Sequence, residues 1–267
     1  MPSIDAAELL AAFDSQERDR VPARLPAGVT LERDGPLLRF FGLGDRGFVG
    51  YRDLGGLDGS ELDELIARQV RIFAEREEAF EWKLYAHDRP ADLAQRLRAV
   101  GFVPEELEAV LIARVVDIAA KPRLPAGVSL REVSERADLD RIDSMEEKIW
   151  GSSHTKLAAS LEAEQAADPE TLYVVVAEAG DEIVCAGWVR LERGSEFATL
   201  WGGGTLPVWR SRGIYRAVVA HRANVAAARG RRYLEVDALP QSRPILERLG
   251  FVAVTTTTPY VWSPVSS

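Results

Sequence analysis

Cysteine is nearly absent from this sequence, and histidine and methionine are scarce. The 267 residues include one cysteine, three histidines and two methionines. A single cysteine, Cys185, excludes a disulfide within the chain, and its apolar surroundings favour core packing over nucleophilic chemistry. The histidines, His87, His154 and His221, are scattered without metal-ligand spacing, so the sequence predicts no metal site.

Long hydrophobic runs are also missing. No stretch approaches the roughly 20 apolar residues that a membrane-spanning helix needs, and the opening MPSIDAAELLAAFDSQ is too acidic for a signal peptide. A composition of 46% hydrophobic and 28% charged residues is ordinary for a globular chain, and the length suits two modest domains. We therefore expect a cytoplasmic protein without a membrane partner.

The chain lacks an excess of positive charge. Its formal net charge is −9, and residues 1–120 carry 15 Lys and Arg against 23 Asp and Glu, whereas residues 121–267 carry 18 against 19. General nucleic-acid binding needs a broad cationic surface, so the sequence predicts no nucleic-acid partner.

Arginine is instead concentrated in one stretch of the second half, TLPVWRSRGIYRAVVAHRANVAAARG, residues 205–230. From Arg210 to Arg232 there are seven arginines and no acidic residue. The pattern is that of a strand end, a tight turn at 210–213 and a long helix from Ile214 to Arg229. Gly213 permits close backbone approach, and the helix N-terminus favours an anion such as a phosphate. An ordinary turn with solvated arginines is the alternative interpretation.

At these residues the chain resembles the GCN5-related N-acetyltransferase (GNAT) family. The family's acyl-CoA signature is Arg or Gln, two residues, Gly, one residue, then Gly or Ala. Here it reads Arg210-Ser211-Arg212-Gly213-Ile214-Tyr215, with Tyr215 in place of the second small residue. The segment LERLGF, ending at Phe251, follows at the family's distance.

The resemblance implies an α/β fold with a mixed, mainly antiparallel sheet flanked by helices, and acetyl-CoA as co-substrate. The residues it assigns to coenzyme A are Thr205, Leu206, Val208, Arg210, Arg212, Gly213, Ile214, Tyr215 and Arg216. The main chain of the first three would contact the pantetheine arm, and the turn and helix start would hold the diphosphate.

The second half shows the family's order of elements. The predicted strands are 128–133, 172–179, 182–191, 197–206, 233–238 and 251–262, and the predicted helices are 137–150, 155–167, 214–229 and 243–249. A short linker is predicted at 117–125. We therefore divide the chain into a domain at 1–120 and a catalytic domain at 121–267.

The first half echoes the second. RLPAGVTL at 24–31 returns as RLPAGVSL at 123–130, and RLRAVGF ending at Phe102 returns as ILERLGF ending at Phe251. The first half is predicted to contain helices at 5–17, 61–76 and 91–100 and strands at 28–31, 37–41, 47–51, 79–85 and 107–113. We interpret it as a smaller, degenerate copy of the same fold. A chance match between common αβ endings is the alternative.

The first half is not expected to hold a phosphate. Its equivalent turn, residues 57–64, carries four carboxylates, at Asp58, Glu61, Asp63 and Glu64. Ser60 with Asp63 could also form a capping box that satisfies the helix start.

Three consecutive glycines, Gly202 to Gly204, interrupt the strand before the turn. Glycine is a poor strand former, so we expect a bulge that opens the sheet beside Thr205. Tight packing against a helix is the alternative explanation for these glycines.

The catalytic residues are less clearly marked. Glu196 lies where the family often carries a carboxylate base, although a solvated strand end fits equally. The family's usual acid is a tyrosine on the last helix, and Leu246 occupies that position here. Tyr260, Tyr215 and Ser242 remain candidates for protonating the thiolate, and Tyr260 is preferred because the final strand is expected to run past the opened part of the sheet.

The resemblance implies direct transfer of an acetyl group from acetyl-CoA to a small-molecule amine. A non-catalytic acyl-CoA-binding regulatory protein is the alternative, since the usual acid is missing. A tandem enzyme acting on a thiol-containing sugar conjugate or an aminoglycoside is a narrower version of the first hypothesis. The sequence names no acceptor and leaves a homodimer open.

Overall fold

The computed structural model of the chain describes residues 5–151 and 156–264. The predicted positions His154 and Thr155 lie outside these ranges. No helix in the two ranges is both long and apolar enough to cross a membrane.

In the described residues, the first half contains six strands and four helices. These are α1 (Ala6–Gln16), β1 (Thr30–Asp34), β2 (Leu37–Phe41), β3 (Gly47–Gly50), α2 (Gly59–Glu75), β4 (Phe80–Tyr85), α3 (Leu93–Ala99), β5 (Val103–Pro104), β6 (Glu108–Arg114) and α4 (Val115–Ile118).

The second half contains two helices between its first strands, then a strand–helix–strand unit. Its elements are β7 (Val128–Val133), α5 (Arg136–Trp150), α6 (Leu157–Ala167), β8 (Leu172–Ala179), β9 (Glu182–Arg190), β10 (Phe197–Thr205), a 3₁₀ turn (Pro207–Trp209), α7 (Ile214–Ala228), β11 (Tyr233–Ala238), α8 (Arg243–Leu249) and β12 (Val252–Trp262).

The twelve strands of the described residues form one sheet in the order β1-β2-β3-β4-β12-β6-β11-β10-β9-β8-β7, with β5 added on β12. Two neighbouring pairs, β3 with β4 and β10 with β11, are parallel, and each is connected through a helix. The other pairs are antiparallel. The mixed, mainly antiparallel sheet predicted from the sequence is therefore confirmed.

The two halves exchange strands at the centre of this sheet. Strand β6 of the first half lies between β11 and β12 of the second. The end of β12, residues 257–262, pairs with β4 of the first half. The division at residue 120 stays a prediction about domains, because the sheet itself is continuous across it.

Helices cover both faces of the sheet. Helices α7 and α8 pack on one face, in a cluster that includes Val219, Leu234 and Leu246. A second cluster joins α5 and α6 to β8 and β9. In the first half, α2 and α3 cover β4, around Phe73, Trp82 and Leu97. Helix α1 packs over β6 and β10, through its buried Leu9 and Phe13.

Candidate active site

The parallel strands β10 and β11 separate partway along their length. They pair at only three positions, ending with Thr199 opposite Glu235. Beyond that point β10 continues to Thr205 and β11 to Ala238. Because parallel strands run in the same direction, the segments that follow them meet at one edge of the sheet. The separation opens a cleft between residues 200–205 and residues 236–238.

The predicted bulge lies on the wall of this cleft. Gly202 pairs with Gly187 and Gly204 with Ala186, so Gly203 is an extra residue in β10. Gly203 has a φ of +97°, and a Cβ added there would lie 2.7 Å from Cε2 of Tyr215. The bulge and tight packing against a helix, which the sequence left as alternatives, are therefore both present.

A buried arginine on α7 holds the bulge in place through hydrogen bonds to the neighbouring main chain. Arg222, on α7, is 1% exposed, and its Nη1 donates hydrogen bonds to the carbonyl oxygens of Trp201 (2.9 Å) and Trp188 (3.1 Å). An added Cβ on Gly187 would lie 2.9 Å from the same Nη1. Burial lowers the pKa of Arg222. The guanidinium therefore joins β9, the bulge and α7 in one arrangement.

The turn after β10 is tight and rich in exposed cations. The Nε of Arg210 donates to the carbonyl oxygen of Thr205 (3.0 Å), and the guanidinium of Arg212 lies 4.7 Å from the ring centre of Trp209. Ser211 and Gly213 both have positive φ, +61° and +80°. Turns of this kind direct successive N–H groups into a concavity that suits an anion.

Helix α7 begins at this turn without a side-chain cap. Its first residue, Ile214, is buried and anchors the helix, whereas Arg216 is exposed. No acidic residue lies in its first turn. The positive end of the helix dipole and the N–H groups of the first turn therefore face the same place as the arginines.

At the equivalent helix start in the first half, side chains of the protein already occupy the position where an anion would bind. Asp58 accepts a hydrogen bond from the backbone N–H of Gly59 (2.6 Å). Arg96, from α3, then forms ion pairs with Asp58, Asp63 and Asp92. The predicted capping box of Ser60 and Asp63 is wrong, since α2 starts earlier and Asp58 provides the cap.

Two of the main-chain groups predicted to contact the pantetheine arm already form hydrogen bonds within the protein. The N–H of Leu206 donates to the carbonyl oxygen of Val184 (3.0 Å), and the carbonyl of Thr205 accepts from Arg210. Val208 lies on the 3₁₀ turn and is exposed. The cleft-lining part of β10 is the stretch before Thr205.

The three candidate acids, Tyr215, Ser242 and Tyr260, lie in different parts of the structure. Tyr215 packs against the bulge, and burial raises the pKa of its hydroxyl although the neighbouring Arg222 lowers it. Ser242 follows β11 at the open edge, and its Oγ donates to the carbonyl oxygen of Leu239 (3.2 Å). Leu246 is fully buried in the core.

Tyr260 is not brought near this cleft. It is 3% exposed and packs in the core of the first half, since its part of β12 pairs with β4. Strands β6 and β11 separate β12 from β10. The expectation that the last strand runs past the cleft is corrected by this strand order.

Glu196 lies at the start of β10, at the paired end rather than the open end. Its carboxylate accepts hydrogen bonds from Arg232 (2.6 Å) and Gln16 (3.1 Å). The bond from Arg232, followed by that from Gln16, lowers the pKa of Glu196. A low pKa and two existing partners make a weak base.

Sequence reasoning missed two carboxylates on β11. Glu235 and Asp237 face a cavity of about 620 Å³ on the side of the sheet opposite α7. The signal was present, since YLEVDA places charges at alternate positions of an otherwise apolar strand. In the two described ranges, no group of three or more His, Cys, Asp or Glu side chains is arranged to hold a metal.

Comparison with known proteins shows which solved structures share this fold. No family model and no curated protein matches the sequence. Among solved structures, the chain is similar to a GCN5-related N-acetyltransferase from Kribbella flavida, with a TM-score of 0.66 and 16% identity over 98% of this chain and 95% of that one. A GCN5-related N-acetyltransferase from Sphaerobacter thermophilus gives a TM-score of 0.59 and 16% identity, over 98% and 86%.

A third similar structure is a tandem GNAT protein from the clavulanic acid biosynthesis pathway. Its TM-score is 0.64 at 13% identity, over 98% of this chain and 95% of that chain. Likeness at these identities concerns the fold. The chain therefore has the tandem GNAT fold that the sequence predicted.

Proposed function

We propose that this protein is an acyltransferase that moves an acetyl group from acetyl-CoA directly to a small amine. The observation that carries the proposal is the parting of β10 and β11 beside an uncapped, arginine-rich helix start. Coenzyme A has a diphosphate and an extended pantetheine arm. Its site therefore needs an anion-binding turn next to a strand with free main-chain groups. The GNAT fold of the chain agrees with this arrangement.

The diphosphate of coenzyme A is assigned to the turn. The backbone of Gly213, Ile214 and Tyr215 offers N–H groups, and Arg210, Arg212 and Arg216 surround them with positive charge. The pantetheine arm is assigned to the cleft beside residues 200–204. There β10 lacks a parallel neighbour and leaves main-chain groups for the arm.

Acyl transfer also needs a held electrophile, a deprotonated amine and a stabilised oxyanion. The bulge at Gly203, fixed by Arg222, provides a rigid wall beside the position expected for the thioester. We assign protonation of the departing thiolate to Tyr215, the candidate hydroxyl that contacts the bulge. Its raised pKa keeps the phenol protonated near neutral pH, as an acid must be.

A screen of small amines with acetyl-CoA tests the proposed function. We expect at least one amine to release free thiol at a rate that depends on protein concentration, with a product heavier by one acetyl group. Tight binding of acetyl-CoA without transfer to any amine would favour the regulatory alternative instead. Failure to bind coenzyme A at all would refute both.

Arg212→Ala should weaken coenzyme A binding by about 1.5–3 kcal/mol, because a charge-assisted hydrogen bond to phosphate is lost. Calorimetric titration with coenzyme A at moderate salt measures the change. Arg248→Ala, on the exposed surface of α8, is a matched control. Unchanged affinity in Arg212→Ala would show that this arginine is merely solvated.

Tyr215→Phe should reduce turnover by about 10- to 100-fold with unchanged affinity for coenzyme A. General acid assistance typically contributes about 100- to 10,000-fold, and a thiolate with a pKa near about 8.5 needs less help than most leaving groups. Tyr260→Phe is the comparison, since it removes a hydroxyl from the first-half core. A larger loss in Tyr260→Phe than in Tyr215→Phe would contradict the assignment.

A further inference from the structure

The cavity on the other face of the sheet is formed by both halves of the chain. Strands β2, β3, β4 and β6 of the first half and β9, β10, β11 and β12 of the second supply its floor. The segment after α1, residues 18–26, and the end of α6 complete its wall. Its volume of about 620 Å³ suits a small molecule, since ligand pockets measure roughly 300–1,000 Å³.

Most charges around this cavity are neutralised in ion pairs. The pairs are Arg20 with Glu192 (2.8 Å), Arg46 with Glu81 (2.8 Å), Arg190 with Glu164 (2.7 Å) and Arg193 with Asp168 (2.8 Å). These pairs build the wall and leave little net charge on it.

The floor is different, because one cation there faces three carboxylates. Lys83 Nζ lies 2.6 Å from Oδ2 of Asp237 and 3.6 Å from Oε2 of Glu108. The third carboxylate, Glu235, is 6% exposed and lines the cavity. Its Oε1 has no hydrogen-bond partner among the described residues, and neither does Oδ1 of Asp237. A buried carboxylate oxygen without a donor is costly, so this floor is suited to receive a cation.

Glu235 also lies where the cavity meets the cleft. It occupies the last position at which β10 and β11 pair, opposite Thr199, and the strands part immediately after it. Thr199 and Trp201 line the cavity from β10, next to the bulge. A molecule held on Glu235 therefore lies beside the open end of the proposed pantetheine cleft.

The surroundings of Glu235 favour its protonated form, as expected for a group that accepts a proton. Burial and the neighbouring Asp237 raise its pKa, whereas Lys83 from β4 lowers it. Glu17, which follows α1, also raises it. Burial likewise raises the pKa of Glu108, on β6. Tyr85 lies beside this group and stays protonated, since burial raises its pKa far above the ordinary value.

We propose that this floor, formed by Lys83, Glu108, Glu235 and Asp237, binds the ammonium group of the acceptor, and that Glu235 takes its proton. The inference rests on the proposed function and names the substrate class as small cationic amines. Asp237 and Lys83 act as positioning residues, because their ion pair holds the floor together beside Glu235.

The step balances with the groups named. The Glu235 carboxylate takes one proton from the ammonium and leaves a neutral amine. The nitrogen lone pair forms a bond to the thioester carbon, and the carbon–sulfur bond breaks. The thiolate takes a proton from Tyr215, and the second proton of the nitrogen returns to Tyr215 through solvent. Glu235 releases its proton to solvent before the next turnover.

The first arm of the test is binding without coenzyme A. Putrescine is the cationic probe, and butane-1,4-diol is its neutral counterpart of equal length. We expect the protein to bind putrescine at least about 10-fold more tightly than the diol, by calorimetry, because an ammonium–carboxylate contact is charge-assisted. Glu235→Gln should remove about 10- to 100-fold of the putrescine affinity. Glu178→Gln, on β8 outside the cavity lining, should bind putrescine as the parent does.

The second arm is transfer from acetyl-CoA to two amines. Putrescine must lose a proton before it reacts, whereas hydroxylamine is already neutral near pH 7. In Glu235→Gln we expect a loss of about 100- to 10,000-fold with putrescine and less than about threefold with hydroxylamine. The rate with putrescine should rise with pH in the parent above the ordinary glutamate range and level off once Glu235 is ionised, whereas in the variant it should stay low and keep rising with the fraction of neutral amine.

Each result decides one point. Equal affinity for putrescine and the diol overturns the inference, whether or not the protein transfers acetyl groups. Equal losses with both amines in Glu235→Gln show a structural residue and overturn the base assignment. A large loss in Glu196→Gln with full activity in Glu235→Gln does the same. Cation-selective binding without transfer to any amine refutes the proposed function alone and supports the cation site.

Discussion

Replacing Arg222 with leucine should lower the midpoint of thermal unfolding by about 5–10 °C, which corresponds to about 2–4 kcal/mol for a chain of this size. Arg222 is 1% exposed, and its guanidinium donates to the carbonyls of Trp188 and Trp201. Leucine fills the space of the aliphatic part but donates nothing. A buried carbonyl that loses its donor costs about 1–3 kcal/mol.

Part of this loss is offset, because leucine avoids burying a charge. Arg222 is almost fully buried, so its charge is desolvated, and this burial lowers its pKa. Replacing buried ionic groups with apolar side chains is neutral or stabilising when every partner is also replaced. Here the partners are main-chain carbonyls, which stay in place. The unpaired carbonyls therefore outweigh the relief.

Arg216→Leu is the matched control for Arg222→Leu. Arg216 lies on the same helix and is exposed, so its replacement should change the unfolding midpoint by less than about 2 °C. Differential scanning calorimetry of both variants measures the difference. Similar midpoints for Arg222→Leu and the parent would show that the bulge does not depend on the guanidinium.

Local pattern was sufficient to predict most elements of the fold. The apolar periodicity of 214–229 and the alternation of 79–85 are confirmed within a residue or two as α7 and β4. The predicted strand at 28–31 lies instead at Thr30–Asp34, since Gly28 adopts a positive φ and belongs to the preceding turn. Short elements such as β5 and α4 carry too few residues for a periodic signal.

The exchange of strands between the halves could not be predicted in this way. Strands β6 and β12 show ordinary strand patterns, and neither pattern specifies a neighbour. The partner of β12 changes along its length, from β6 at residues 252–257 to β4 at residues 257–262. Pairing of this kind depends on contacts far apart in the sequence. For this reason the position expected for Tyr260 was wrong, although its strand was predicted correctly.

The parts of the candidate site that depend mainly on the backbone could be predicted from the sequence. Glycine runs and a basic turn have few structural explanations, so the bulge and the turn were found from residues alone. The acceptor side depends on which side chains share a face across β4, β6 and β11, strands that come from both halves. Glu235 and Lys83 are 152 positions apart in the sequence, and their shared floor appears only in the folded sheet.

The second large effect is expected at Gly213. Gly213→Glu should weaken coenzyme A by about 100-fold or more, which is about 3 kcal/mol or more. The carboxylate would stand at the uncapped start of α7, where the diphosphate is assigned. Like charges about 4 Å apart repel by about 1–4 kcal/mol, depending on solvent exposure. The side chain would also block the close approach that the glycine allows.

Gly59→Glu gives this test its control, because the two glycines share their backbone conformation. Gly59 and Gly213 have φ of +53° and +80°, and an added Cβ meets nothing within 4 Å at either position. Both variants therefore carry similar strain, of about 1–2 kcal/mol. The start of α2 is already occupied by Asp58 and Arg96, so coenzyme A should bind Gly59→Glu as tightly as the parent. Calorimetry should give one site per chain in the parent and in Gly59→Glu. Two sites in the parent, or equal weakening in both variants, would mean that the second half does not hold the coenzyme alone.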